Sequence, residues 1–158
     1  MEALTSTDRI LLEAVQRDSR MTTTELGALV NLSHSPVWRR LKKFEEDGLI
    51  RGYHASLDRR VLGYDVLAFV SIRIDRHDEA TAIRFAAAIE ATPEIVLCHG
   101  VSGPDDFILL VLAKSLDHYA SVLVHKLRKL PGVAGLHSSF SLMEIKDRTS
   151  LHFELEDH

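Results

Sequence analysis

Two periodicities divide the chain. Over the first third, apolar residues recur at helical spacing. Ile10, Leu11, Leu12 and Val15 follow Thr5-Ser6-Thr7-Asp8, a threonine cap with an acid three residues on. Thr22-Thr23-Thr24-Glu25 repeats the arrangement ahead of Leu26, Leu29 and Val30. In such a capping box the hydroxyl satisfies a free first-turn amide and the acid reaches back to the cap. Asn31-Leu32-Ser33 interrupts this second helix. A third starts between Ser33 and Pro36, where proline is tolerated because first-turn amides have no helical partner. Val37, Leu41 and Phe44 lie at i, i+4 and i+7, which makes one apolar stripe. Gly48 fits the left-handed position that ends helices, and Leu49–Leu57 reads as a strand that turns back. Three helices, the last two joined by a tight turn and followed by a strand, predict a winged helix-turn-helix over residues 1–57.

Residues 58–64, Asp-Arg-Arg-Val-Leu-Gly-Tyr, read as a linker. From residue 65 to 158 the pattern changes to strand, helix, strand, strand, helix, strand. Ala68, Val70, Ile72 and Ile74 alternate onto one face of a first strand, and Ala80–Ala91 is a small-residue helix stopped by Pro93. Ile95–Val101 and Phe107–Ala113 are apolar strands around Ser102-Gly103-Pro104-Asp105-Asp106, a stretch dense in turn formers. Ser115 caps a helix carrying Leu116, Tyr119, Ala120, Leu123, Leu127 and Leu130, and Leu136–Ile145 gives a last strand. This βαββαβ order predicts a ferredoxin-like domain, and an α+β fold for the whole chain. Phe107–Ala113 is apolar on both faces, so both should be buried. The two helices of such a domain cover one side of the sheet. The other side calls for a second subunit, and the expectation is at least a dimer.

Charge sharpens the division. The net charge of −4 argues against a protein that coats nucleic acid with its whole surface. Residues 1–60, however, carry ten Lys/Arg against nine Asp/Glu, a balance of +1, while residues 61–158 carry nine against fourteen, a balance of −5. The cations Arg39, Arg40, Lys42 and Lys43 crowd the third helix. One cysteine, Cys98, excludes intramolecular disulfides and a zinc site of several thiolates, and its apolar surroundings make it a small buried thiol. The longest apolar run is too short to cross a bilayer. No charged-then-apolar leader opens the sequence, so the expectation is a cytoplasmic protein without membrane contact.

Several segments, in order and spacing, resemble the Lrp/AsnC family, the leucine-responsive or "feast/famine" transcription regulators. They are Leu4…Asp8-Arg9-Ile10-Leu11, then Leu32-Ser33…Val37…Arg40-Leu41…Glu45…Gly48-Leu49-Ile50…Tyr53. In the second half Ser102-Gly103…Asp106, Leu130-Pro131-Gly132-Val133 and Glu144-Ile145-Lys146-Asp147…Thr149 follow the family's pattern. The resemblance implies a DNA-binding domain joined to an effector-binding and oligomerisation domain. It also implies dimers that assemble further, often to octamers, and amino acids bound between subunits.

Candidate chemistry follows from facing. With Val37, Leu41 and Phe44 inward, His34, Ser35, Trp38, Arg39 and Lys42 project outward, and Lys43 lies nearer the boundary. Arg39 and Lys42 suit phosphates or guanine edges of double-stranded DNA, and His34 and Ser35 occupy the end that enters the major groove. Arg40 flanks the apolar stripe and is expected to pair with an acid such as Asp8 or Glu45. The bland reading of a short basic face is a solvated helix. The turn, the caps and the following strand argue against it. Trp38 has two readings, contact with DNA or folding down against the segment around Tyr53 or a neighbouring subunit.

For an amino-acid effector, Ser102, Gly103, Asp105 and Asp106 offer backbone amides for a carboxylate and an acid for an ammonium. The family often has an aromatic residue where Asp105 stands. On composition alone the stretch is a plain turn. Ser138 and Ser139 are candidate polar liners from a neighbouring subunit. No enzyme is expected, since no phosphate loop, nucleophile elbow or paired-carboxylate motif stands out and no cofactor or metal is called for. His118 and His125 are about 10 Å apart along a helix, too far to share one ion. His34, His54, His77 and His137 are isolated. The other reading of the whole is an oligomeric small-molecule sensor without DNA binding, and the cationic third helix speaks against it.

Overall fold

The computed structural model describes residues 4–75, 78–146 and 151. His77, Asp147 and Thr149 therefore lie outside the described residues. The chain forms two compact units. One holds the residues up to Ser56 together with Lys146 and Leu151, and the other runs from Leu57 to Ile145.

In the first unit, helices α1 (Ser6–Arg17), α2 (Thr23–Val30) and α3 (His34–Glu46) enclose a core of Leu11, Leu12, Leu26, Val37 and Phe44. Both capping boxes form. Thr5 and Asp8 exchange hydrogen bonds at the start of α1, and Thr22 and Glu25 do so at α2. Asn31, in the left-handed conformation at φ 53°, ends α2, and the Leu32 amide donates to the Gly27 carbonyl at 3.0 Å. The turn is tight because Gly27 has no side chain. A Cβ there would sit 2.3 Å from the Leu32 carbonyl oxygen. Gly48 follows α3 at φ 73°, and the Ile50 amide closes on Phe44 O at 3.0 Å.

The strand expected over Leu49–Leu57 does not form among the described residues. A strand exists only by pairing, and that segment meets no second strand here. The C-terminal stretch assigned from sequence to the second domain is divided as well. The Gln16 side chain of α1 donates to Leu151 O at 3.2 Å and accepts from Leu151 N at 2.8 Å, drawing that residue onto the helical unit.

The second unit has strands β1 (Val66–Ile74), β2 (Ile95–Gly100), β3 (Phe107–Ala113) and β4 (Val133–Phe140). Helix α4 (Glu79–Glu90) links β1 to β2, while α5 (Leu116–His125) and a 3-10 turn (Leu127–Lys129) link β3 to β4. The strand order is β2-β3-β1-β4, every pair antiparallel, which is the ferredoxin-like arrangement expected.

The last strand starts earlier and stops sooner than its apolar pattern suggested. Ile74 pairs with Val133 across a register shift, Ala68 pairs with Phe140, and Leu142 and Ile145 stand exposed beyond. Contact with β1 closes with the Ser141 amide donating to Leu67 O at 2.9 Å, and the apolar residues beyond it are not paired among the described residues. The long second helix likewise breaks near Lys126 into its 3-10 turn. The linker stretch is a compact turn, with the Asp58 carboxylate accepting from the amides of Arg60 and Val61 at 2.8 and 3.2 Å.

One sheet face is packed. Ala68, Val70, Ile72, Leu109, Val111 and Ala113 lie against Phe85, Tyr119, Val122, Leu127 and Leu130. The other face carries Leu67, Phe69, Leu97, Leu110 and Leu112 in register, and Phe69 is 50% exposed.

Candidate functional site

Three turns of α3 carry the first candidate surface. Its buried stripe is Val37 and Phe44, with Leu41 half-buried beside them. Spacing of four residues then sets His34, Trp38 and Lys42 in one outward row and Ser35, Arg39 and Lys43 in the next. All six are exposed. Ser33 precedes the helix without a side-chain capping bond, so a first-turn amide of α3 is left for another partner.

The cations on this helix are not equivalent. Arg40 is turned back into the fold, where its Nη1 donates to Asp8 Oδ1 at 2.5 Å. Asp8 is 7% exposed. Burial pushes its carboxyl up, but the Thr5 hydroxyl, the Thr5 amide and then Arg40 together hold it below the usual carboxylate range. Of the two structural partners expected for Arg40, Asp8 is the one used. Glu45 instead accepts from the Tyr53 hydroxyl at 2.8 Å, and burial followed by that acceptor pushes the phenol up to about 12. Lys42 reaches Glu46 at 3.6 Å and sits 5.3 Å over the Trp38 ring, a cation-π contact on a residue 49% exposed. Among the described residues Arg39 is held by no ion pair or hydrogen bond. The helix therefore carries an exposed indole together with three exposed cations, Arg39, Lys42 and Lys43.

The second candidate surface is the turn between β2 and β3. Gly103, at φ 131°, lets the chain reverse in a conformation that other residues resist. Ser102, Gly103 and Pro104 are exposed, and Asp105 is half-buried. Asp106 differs from its neighbours. Its amide donates to Ile72 O at 2.8 Å, its carbonyl accepts from Val101 N at 2.9 Å, and its Oδ2 accepts from Ile74 N at 2.7 Å.

The two serines read with this turn do not line one site within the chain. Ser138 faces the helices, opposite Val70, and receives the Tyr119 hydroxyl at 2.5 Å. Ser139 pairs with Phe69 on the other sheet face and is exposed. Adjacent strand residues point to opposite sides, so the pair is split by the sheet itself.

Sequence reasoning missed Gly27, whose only signal is a glycine inside an eight-residue helix, and the backbone duty of Asp106. It also missed Glu94, which holds Lys126 Nζ at 2.7 Å through both oxygens with His118 at 3.9 Å. Burial raises the Glu94 carboxyl, and the Lys126 hydrogen bond, a backbone hydrogen bond and the nearby Lys126 and His118 together leave it lowered. Among the described residues no group of three or more His, Cys, Asp or Glu is placed to hold a metal ion, and no helix is long and apolar enough to cross a membrane.

With this geometry in hand, the likenesses to known proteins fall on the same two units. Residues 4–51 match the family model described as winged helix-turn-helix DNA-binding, and residues 67–151 match the one described as Lrp/AsnC ligand binding domain. The chain is 32% identical to the DNA-binding transcriptional activator DecR of Escherichia coli, over 93% of this chain and 97% of that one. It is 33% identical to the Bkd operon transcriptional regulator of Pseudomonas aeruginosa, over 95% and 98%. Among solved structures it resembles a transcriptional regulator of Neisseria meningitidis in complex with L-Met, at 33% identity and a TM-score of 0.90, over 95% of this chain and 97% of that one.

Proposed function

The chain belongs to the Lrp/AsnC family of transcriptional regulators, and from that premise we propose that it binds double-stranded DNA through α3 under the control of a small effector, an amino acid, held by its second domain. The observation that carries the reading is the sorting of cations on α3. Arg40 is withdrawn to Asp8, while Arg39 and Lys42 flank an exposed Trp38. A helix whose charge served only solubility would have no reason to keep an indole exposed among them. His34, Ser35 and Lys43 complete the proposed contact surface.

The DNA-binding role falls to residues 1–57 and the sensing role to the part beyond the 58–64 turn. With a balance of only +1 over residues 1–60, the first domain binds DNA weakly alone, so affinity comes from linking copies. The half-exposed apolar sheet face around Phe69 and Leu110 fits a second subunit, giving a dimer that assembles to an octamer. The turn that runs from Ser102 and Gly103 to Asp105 is the effector contact, held to β1 by Asp106, with Ser139 on the exposed face as a liner. Ser138 is spoken for by Tyr119. L-Met, held by the Neisseria relative, is the first probe. The protein works in the cytoplasm as a regulator and not as an enzyme.

A mobility-shift assay on the DNA upstream of its own gene tests this. Arg39→Ala with Lys42→Ala should abolish the shift while gel filtration stays unchanged. Binding should also weaken steeply with salt, by about 0.9 in log-log slope for each phosphate contact. A shift that persists in the double variant, or that ignores salt, sinks the reading. A thermal-shift screen of the twenty amino acids tests the effector, because a ligand of the folded state raises Tm.

A further inference from the structure

The effector turn contains two adjacent carboxylates, and the structure gives them different surroundings. β3 ends its pairing with β1 where Phe107 faces Ile72. One step further the Asp106 amide still donates to Ile72 O. The next β1 donor facing that side is Ile74 N, and the chain has by then turned away through Gly103 and Pro104. The Asp106 carboxylate takes the place of the missing backbone carbonyl, at 2.7 Å. It extends the β1–β3 ladder by one rung, at the position where β1 shifts register against β4. A carboxylate accepting a backbone amide makes a charge-assisted bond, stronger than a neutral one. Asp105 has no such duty. Among the described residues its carboxylate accepts no hydrogen bond and joins no ion pair.

We propose that Asp106 is a positioning residue that fixes the β2–β3 turn onto the end of β1, and that Asp105 is the carboxylate the turn presents to a ligand's ammonium. The second half rests on the amino-acid-sensing reading above; the first does not. One Asp106 oxygen is engaged by Ile74 N while Asp105 accepts no such bond, so the turn has one carboxylate for architecture and one for recognition. A contact residue and a positioning residue differ in what they require. Recognition of an ammonium needs the negative charge, whereas holding the Ile74 amide needs only an acceptor oxygen, which asparagine retains.

The test compares Asp106→Asn, Asp106→Ala and Asp105→Asn in the full chain. Amide hydrogen exchange is read at Ile74 and, as a fold control, at Leu109 and Val111 in the middle of β3. Binding of L-methionine and of L-leucine is measured by calorimetry. Asp106→Ala should speed exchange at Ile74 by about tenfold or more with the β3 control unchanged, and Asp106→Asn should restore most of the protection. Asp105→Asn should leave Ile74 protected and weaken whichever amino acid binds by about tenfold or more, while Asp106→Asn binds nearly as wild type. Unchanged Ile74 exchange in Asp106→Ala overturns the positioning role. An Asp106→Asn protein that keeps Ile74 protected yet loses binding as fully as Asp106→Ala overturns the division of roles, since the Asp106 charge would then be a contact. If the wild type binds neither amino acid, the Asp105 assignment falls with the sensing reading, and exchange at Ile74 still decides the role of Asp106.

Discussion

The guanidinium of Arg40, in the third helix, closes on the carboxylate of Asp8, in the first, at 2.5 Å. The same carboxylate takes both the backbone amide and the hydroxyl of Thr5, at 2.9 and 2.6 Å. One acid thus caps α1 and ties α3 across it. That contact turns Arg40 back into the fold, while burial of Val37 and Phe44 keeps the apolar side of α3 inward.

Arg40 and Arg39 should therefore fail in different ways. Arg40→Ala leaves a mostly buried carboxylate without its ion partner and should cost about 1–2 kcal/mol, discounted because Arg40 itself is partly exposed. Arg39→Ala should stay within about 0.5 kcal/mol of wild type and lose DNA affinity instead. Urea unfolding and a mobility-shift assay on the two variants separate these outcomes.

Acid should act on the first unit through Asp8. Its folded carboxyl is held below the unfolded value, so its contribution is fully present above the unfolded carboxylate range. It is lost as pH falls through the lowered folded value. Asp8→Asn removes this acid-dependent component, and its unfolding free energy should vary less with pH below about 4 than that of wild type. An unchanged slope would mean that Asp8 titrates alike in both states.

Gly27→Ala weighs two opposing effects. Alanine in a helix is favoured over glycine by about 1 kcal/mol. Here the new methyl would meet the Leu32 carbonyl oxygen at 2.3 Å, a backbone atom that cannot swing aside. Overpacking of this kind costs about 1–3 kcal/mol, so the variant should be destabilised on balance. It should also lose DNA binding, because the strain falls on the turn that sets α3. Thermal melting with the mobility shift reads both.

Ser138 and Ser139 make a matched pair on opposite faces. Ser138→Ala strands the hydroxyl of Tyr119, a residue 3% exposed, and should cost about 1–3 kcal/mol. Ser139→Ala should leave stability within about 0.5 kcal/mol. If Ser139 lines a site completed by another subunit, its variant shifts effector affinity or the gel-filtration profile and not the melting temperature.

Much of the fold was legible because it rests on short-range chemistry. Thr5 and Thr22 each find an acid three residues on, within the same turn, so the starts of α1 and α2 can be read without knowing anything distant. The alternation of Ala68, Val70 and Ile72 marks a buried face by itself. The outward set on α3 was legible for the same reason, as the complement of Val37, Leu41 and Phe44. The strand after α3 and the end of the last strand were not. A strand's extent depends on pairing, and the apolar residues at Leu142 and Ile145 lie beyond Ser141, whose amide still bonds Leu67 O of β1.

The sequence by itself determined the helices, the order of the sheet strands and the helix that carries cations, because capping, periodicity and turn chemistry act within a few residues. Only the tertiary structure decided what individual polar side chains do. Arg40 is held by an acid thirty-two residues away, Asp106 by an amide equally distant, and Ser138 by a tyrosine nineteen residues back. A carboxylate or a cation has the same local signature whether it meets solvent, ligand or backbone. Which of these it meets is set by the groups the fold brings within hydrogen-bond reach, and one step along a strand is enough to exchange them.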